Sequence, residues 1–109
     1  MKKVVFSIIS LMSFSAVSAT TISIPTDSKA KYTIIDKAMN GSMATITTMR
    51  EGPSGTSYSR RLYDCTNWTV KYLGDGDTME QVKASKPDEN MSPIVDNSIA
   101  YYIGQRACK

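Results

Sequence analysis

The sequence contains no histidine. That absence excludes Ser-His-Asp and Cys-His catalysis and removes imidazole from any zinc site. Tryptophan occurs once, and both phenylalanines fall within the first 19 residues. Beyond residue 19 only thirteen residues are Leu, Ile or Val. Six Tyr and five Met fill part of that deficit. One thin core is therefore the most the chain can build, and a core of that size needs a covalent staple.

Long apolar runs are also missing, with one exception. Met1–Ala19 begins with Lys2-Lys3, continues through Val4, Val5, Phe6, Ile8, Ile9, Leu11, Met12 and Phe14, and ends in the small residues Val17-Ser18-Ala19. This is the pattern of a secretory signal peptide. The apolar stretch is too short for a membrane-spanning helix of ~20 residues, and no later segment supplies one. No cysteine follows the cleavage-type site, so no lipid anchor is expected. Without Lys2 and Lys3 the remaining Thr20–Lys109 carries 11 Lys+Arg against 10 Asp+Glu, a net charge near +1 instead of +3. So small a charge argues against nucleic acid or an anionic membrane as partner.

Cys65 and Cys108 are the only cysteines. In a small secreted chain two cysteines usually pair, and redox-active thiols favour the Cys-x-x-Cys spacing that is absent here. A structural disulfide is expected. The loop it closes holds roughly 44 residues, which the chain-entropy relation values at ~4 kcal/mol.

Thr20–Lys29, within a 20–30 lead-in, reads as extended. Lys31–Ala38 is a plausible strand, Asn40-Gly41 a hairpin turn. In Ser42–Arg50, Met43, Thr45, Thr47 and Met49 alternate with Ala44, Ile46 and Thr48. Glu51–Gly55 reads as a loop. Ser57–Cys65 resumes a strand, with Arg60 and Leu62 on one face and Arg61, Tyr63 and Cys65 on the other. Asn67–Leu73 alternates with Trp68, Val70 and Tyr72 facing the core. Gly74–Asp77 reads as a turn, Thr78–Ala84 as a polar edge strand, and Ser85–Pro93 as irregular. The period then changes: Asp96, Asn97 or Ser98 can cap a helix in which Ile99, Tyr102, Ile103 and Arg106 recur on one side. Gly104 weakens such a helix unless it lets the backbone approach the sheet. Tyr101, on the outer side, is a candidate for a homodimer contact. The expected class is α+β: a single antiparallel sheet of about five strands packed by one C-terminal helix and stapled by one disulfide.

Few constellations suggest chemistry. Asp75 and Asp77 resemble the start of a calcium loop, but the twelfth position holds Lys86 instead of an acid. Arg60 and Arg61 point to opposite faces and form no single anion site. No pair of acids is spaced for acid/base work, so no catalytic residue, cofactor or metal is assigned. Ser54-Gly55-Thr56-Ser57-Tyr58 reads S-G-x-x-Y and resembles the recognition loop of bacterial periplasmic inhibitors of C-type lysozyme. Ser54, Gly55 and Tyr58 are therefore the candidate protein-contact residues.

A broader pattern runs through Arg61-Leu62-Tyr63-Asp64-Cys65, the aromatic segment Trp68–Tyr72, the loop Lys83–Pro87, and the closing Pro93–Ala100 with Cys108. It is similar to the surface-adhesin protein E-like domain of Gram-negative bacteria, over roughly residues 31–109. That resemblance implies a small antiparallel sheet backed by a helix. Cys65 and Cys108 match the stapling pair, and Ser98 matches the serine that opens the last helix. Met91 stands where the family commonly has Trp. The best-known member binds host extracellular-matrix proteins and is lipid-anchored. The resulting expectation is a periplasmic or extracellular protein-binding domain whose partner is a host matrix protein or a cell-wall-active enzyme. The alternative is a periplasmic inhibitor or immunity protein against such an enzyme.

Overall fold

A computed structural model describes residues 20–109; the signal-type segment Met1–Ala19 lies outside the described residues. Six strands form one antiparallel sheet in sequence order. They are β1 (Thr20–Ile22), β2 (Lys31–Asn40), β3 (Met43–Gly52), β4 (Gly55–Asp64), β5 (Thr69–Gly76) and β6 (Ser92–Pro93). Two α-helices accompany them, α1 (Met79–Ala84) and α2 (Ile99–Ala107), with one turn of 3-10 helix at Pro25–Asp27. The class is mostly β with a C-terminal helix, and the single sheet and its disulfide are as the sequence implied.

The alternation read from β3 sets the two faces. Ala44, Ile46 and Thr48 pair across to Tyr63, Arg61 and Ser59, while Thr45, Thr47 and Met49 pair to Leu62, Arg60 and Tyr58. The first face carries the core: Tyr32, Ala44, Ile46 and Tyr63 pack with Ile103 and Ala107 of α2 and with Ile94. Thr20–Lys29 is more than a lead-in. Its β1 pairs with Tyr32–Ile34, and Ile22 and Ile24 are buried in the same core.

Two hairpin turns hold two residues each: the expected Asn40-Gly41 turn shifts by one residue, and the expected Glu51–Gly55 loop shortens. Asn40 pairs with Met43, so the first turn is Gly41-Ser42, and Gly41 takes φ +66°. A glycine in the first central position is what the primed turn of a two-residue hairpin needs. Gly52 pairs with Gly55, so the expected five-residue loop shrinks to Pro53-Ser54. Proline before the apex and glycine after it suit a type I turn.

Three assignments change on the β5 side. Trp68 is not in the strand: it sits in the turn before β5 at φ +56° and packs on the core from there. Gly74–Asp77 is not a turn, because Gly74 and Gly76 continue β5 opposite Arg60 and Tyr58. Thr78–Ala84 is a helix, not an edge strand. The Thr78 hydroxyl accepts from the Gln81 N–H at 3.1 Å, and Gln81 Oε1 accepts from the Asp77 N–H at 2.7 Å. The first bond is the cap of a Thr-x-x-Gln start; in the second the Gln81 side chain reaches one residue further back than in a capping box, to the residue before the cap. Helix α1 lies on the face opposite α2, because a Cβ at Gly74 would collide with Val82 and one at Gly76 with Gln81. The sheet therefore carries a helix on each face, where a single helix was expected.

Candidate functional site

The β3–β4 hairpin outreaches its neighbour β5 at the tip. Strand β5 stops at Gly76, opposite Tyr58, so Gly55–Ser57 extend past it without a partner on that side. Pro53, Ser54, Gly55 and Thr56 are all exposed. Gly55 takes φ +122°, a conformation that L side chains rarely adopt and that glycine allows, and its pairing with Gly52 closes the apex. Of the three expected contact residues, Ser54 and Gly55 therefore lie together at the tip. Tyr58 does not join them. It is half-buried on the strand, paired with Met49 and beside α1, roughly 13 Å of extended chain from Ser54.

A hydrogen-bonded cluster lies close below the tip of this hairpin, at Arg50 opposite Ser57. Arg50 donates to Asp27 Oδ2 at 2.8 Å and to Oδ1 at 3.2 Å, and the Tyr32 hydroxyl donates to Oδ2 at 2.7 Å. The Arg50 bonds hold the Asp27 carboxyl below its ordinary range, with Tyr32 adding to the effect. Burial, and then the Asp27 bond, push the Tyr32 hydroxyl up to about 12. The bidentate Arg50–Asp27 pair ties the turn after β1 to the middle of the sheet.

At the other end of the sheet the C-terminal helix is capped at its start and tied down at two points. Cys65 and Cys108 form the disulfide, with Cα atoms 5.7 Å apart. The Ser98 hydroxyl accepts the Tyr101 N–H at 3.1 Å and so caps α2. The Tyr63 hydroxyl, on a fully buried side chain, donates to the Ala100 carbonyl at 2.7 Å. Gly104 lets the helix descend: a Cβ there would stand 2.6 Å from Tyr63 Cε2 and 3.0 Å from Trp68 Cη2. Tyr101, expected on the outer side, is half-buried and stacks edge-on against Trp68 with centroids 6.2 Å apart. Asp64 closes the turn beneath Trp68 by accepting from the Thr66 and Asn67 N–H groups and from Asn67 Nδ2. The Asn67 bonds, backbone first, hold its carboxyl low.

The two adjacent arginines separate as expected, and one of them is buried. Arg60 donates to Thr47 Oγ1 at 3.0 Å and approaches Asp36 at 3.9 Å. Arg61 is only 5% exposed. Its Nη2 donates to the Tyr72 hydroxyl at 2.9 Å, its guanidinium carbon lies 4.8 Å from the Tyr72 ring centroid, and its Nη1 is buried without a hydrogen-bond partner. The signal for this burial was present: Arg61 shares the parity of Tyr63 in β4. Asp75 and Asp77 belong to no group of metal-type side chains among the described residues. No described helix is long and apolar enough to cross a membrane.

No family model, no curated protein and no solved structure matches this chain.

Proposed function

We propose that the chain is an exported, non-catalytic protein-binding domain of a Gram-negative bacterium, working in the periplasm or outside the cell and touching its partner through the β3–β4 hairpin. The observation that carries this reading is the geometry of the tip. Pro53–Thr56 is exposed, continues a paired ladder and projects past the end of β5. A segment already held in one conformation loses little entropy on binding. Met49 and Tyr58, paired below the tip, offer a half-exposed apolar contact of the type that anchors interfaces. The Cys65–Cys108 bridge suits an oxidising compartment. The bridge and the Ser98 cap also agree with a surface-adhesin E-like domain, which favours an adhesin-like role.

The projecting tip supports a second reading, an inhibitor that inserts Ser54 into the cleft of a cell-wall-degrading enzyme. Two assays separate the readings. In one, the disulfide-bonded chain is tested for binding to a panel of immobilised matrix glycoproteins. In the other, it is tested for inhibition of cell-wall lysis by C-type lysozyme. Ser54→Arg should abolish whichever activity is found, at unchanged melting temperature, because Ser54 is exposed and makes no internal bond that arginine would break. Tyr58→Ala should weaken it ~30-fold, the scale of an interface anchor. Full activity in both variants would refute the hairpin as the contact surface.

A further inference from the structure

Every other described arginine engaged in a side-chain ion pair has its acid on hand: Arg50 has Asp27 and Arg60 has Asp36. Arg61 has none, although it is the most deeply buried cation described. A buried guanidinium normally sits against a carboxylate, and leaving one of its donors unpaired is unfavourable. Its surroundings make the omission sharper. Lys37, Ile46, Arg61 and Tyr72 form one cross-strand row on the core face, so the nearest charge in that row is a second cation. The Lys37 ammonium donates to the Arg106 carbonyl at 2.7 Å, at the end of α2. Asp75, opposite Ser59 on the same face, makes no ion pair with Arg61.

Part of the cover over Arg61 is an exposed side chain. Tyr72 is 40% exposed and lies against the guanidinium through its ring and its hydroxyl. Its backbone is held independently, since its N–H donates to Asp88 Oδ2 at 3.2 Å and its carbonyl accepts from the Asp88 N–H at 2.9 Å. Rotation of the side chain would uncover the charge while leaving the strand in place.

We propose that Arg61 is the receptor for a single carboxylate, which replaces the Tyr72 side chain over the guanidinium. The planar fork of Arg61 matches a carboxylate in two parallel hydrogen bonds, and Lys37 adds positive potential. This site goes beyond the hairpin reading and does not need a protein partner to be tested.

The disulfide-bonded chain, with its arginine side chains labelled with nitrogen-15, is titrated with sodium acetate, with sodium chloride at equal ionic strength as the control. A second arm uses a short glycine peptide with one central glutamate and blocked ends. Acetate should shift the Arg61 Nε–H and Tyr72 ring resonances to saturation, and chloride should not. Tyr72→Ala should tighten acetate binding ~10-fold, the scale of one hydrogen bond to a charged group removed from competition. Arg61→Met should abolish binding at an equal or higher melting temperature, and Arg61→Lys should weaken it at least ~10-fold. Tighter binding of the peptide than of acetate identifies a polypeptide as the source of the carboxylate; equal binding identifies a small acid. The proposal is overturned if acetate and chloride act alike in both wild type and Tyr72→Ala. It is also overturned if Arg61→Met and Arg61→Lys both unfold the chain, which would make the guanidinium a structural member.

Discussion

Replacing Gly104 with alanine sets two effects of opposite sign against each other. In an exposed helix interior the change would add ~1 kcal/mol of stability, since alanine loses less backbone freedom on folding than glycine. Gly104 is buried, and the new Cβ would meet Tyr63 Cε2 at 2.6 Å and Cδ2 at 3.0 Å, with Trp68 Cη2 also at 3.0 Å. Neither partner can yield cheaply. Tyr63 is fully buried, fixed on a central strand and bonded to Ala100, while α2 cannot lift away because Cys108 is bridged to Cys65. Overpacking of this kind costs ~1–3 kcal/mol, and two rings at one site place it near the upper end. The net loss is then ~1–2 kcal/mol, a fall of ~5–15 °C in melting temperature for a domain of this size. Thermal unfolding followed by the fluorescence of Trp68 measures it directly, because that indole is one of the two rings displaced. A melting temperature that holds or rises would show that helix propensity dominates and that α2 does not rest on Tyr63.

The disulfide makes a larger contribution. With a sequence separation of 43 residues, the Cys65→Ser/Cys108→Ser double variant should lose ~4 kcal/mol in urea unfolding, and a loss below ~1 kcal/mol would contradict the staple. Thr78→Ala removes the cap of α1 and should cost ~1 kcal/mol, read as faster amide exchange over residues 79–84 with α2 unaffected. Asp27 titrates in the folded chain below its ordinary value of 3.8. Its stabilising effect is therefore present above that value and lost as pH falls through the folded one. Exchange of the β1 amides should accelerate in that acid window, and Asp27→Asn should remove the pH step; an unchanged step in the variant would assign it elsewhere. Tyr32, raised from 10.0 to about 12, acts in the opposite direction: its contribution is complete below pH 10 and is lost as pH rises through about 12. A tyrosinate absorbance titration of Tyr32→Phe against wild type should show one late-titrating group missing.

Much of the sheet was readable because period-2 alternation is a local property. Met43, Thr45, Thr47 and Met49 against Ala44, Ile46 and Thr48 gave the two faces of β3, and register carried them to β4. The disulfide and the Ser98 cap were also readable, since each depends on one or two residue types. Trp68 misled because its parity with Val70 and Tyr72 fits a strand. The chain turns there instead, and bonds from Asp64 to Thr66 and Asn67 stabilise that turn. Local side-chain bonds of this kind compete with the ladder and leave no periodic trace. The candidate contact residues divided for a related reason: Ser54 and Tyr58 are close in sequence, but a two-residue turn puts them at different heights on the hairpin.

Helix α1 shows where sequence reading stops and packing takes over. In a stretch of six residues with one buried side chain, Val82, a helical period cannot be told from an alternating one. The Thr78-x-x-Gln81 start favours a helix, but an isolated turn of that length is not stable in water. What makes it stable lies in β5, where Gly74 and Gly76 leave a strip of sheet without side chains for Val82 and Gln81 to lie on. Glycine within a strand usually marks a bulge or a close approach of backbone. Here both occur, with Leu73 as the extra residue opposite Arg60 and Arg61 and the helix seated just beyond it. The two signals become legible only together, because Gly74–Asp77 taken alone has the composition of a turn. Gly74→Ala should therefore loosen α1 at least as much as Thr78→Ala does, read as faster amide exchange over residues 79–84, although Gly74 lies outside the helix.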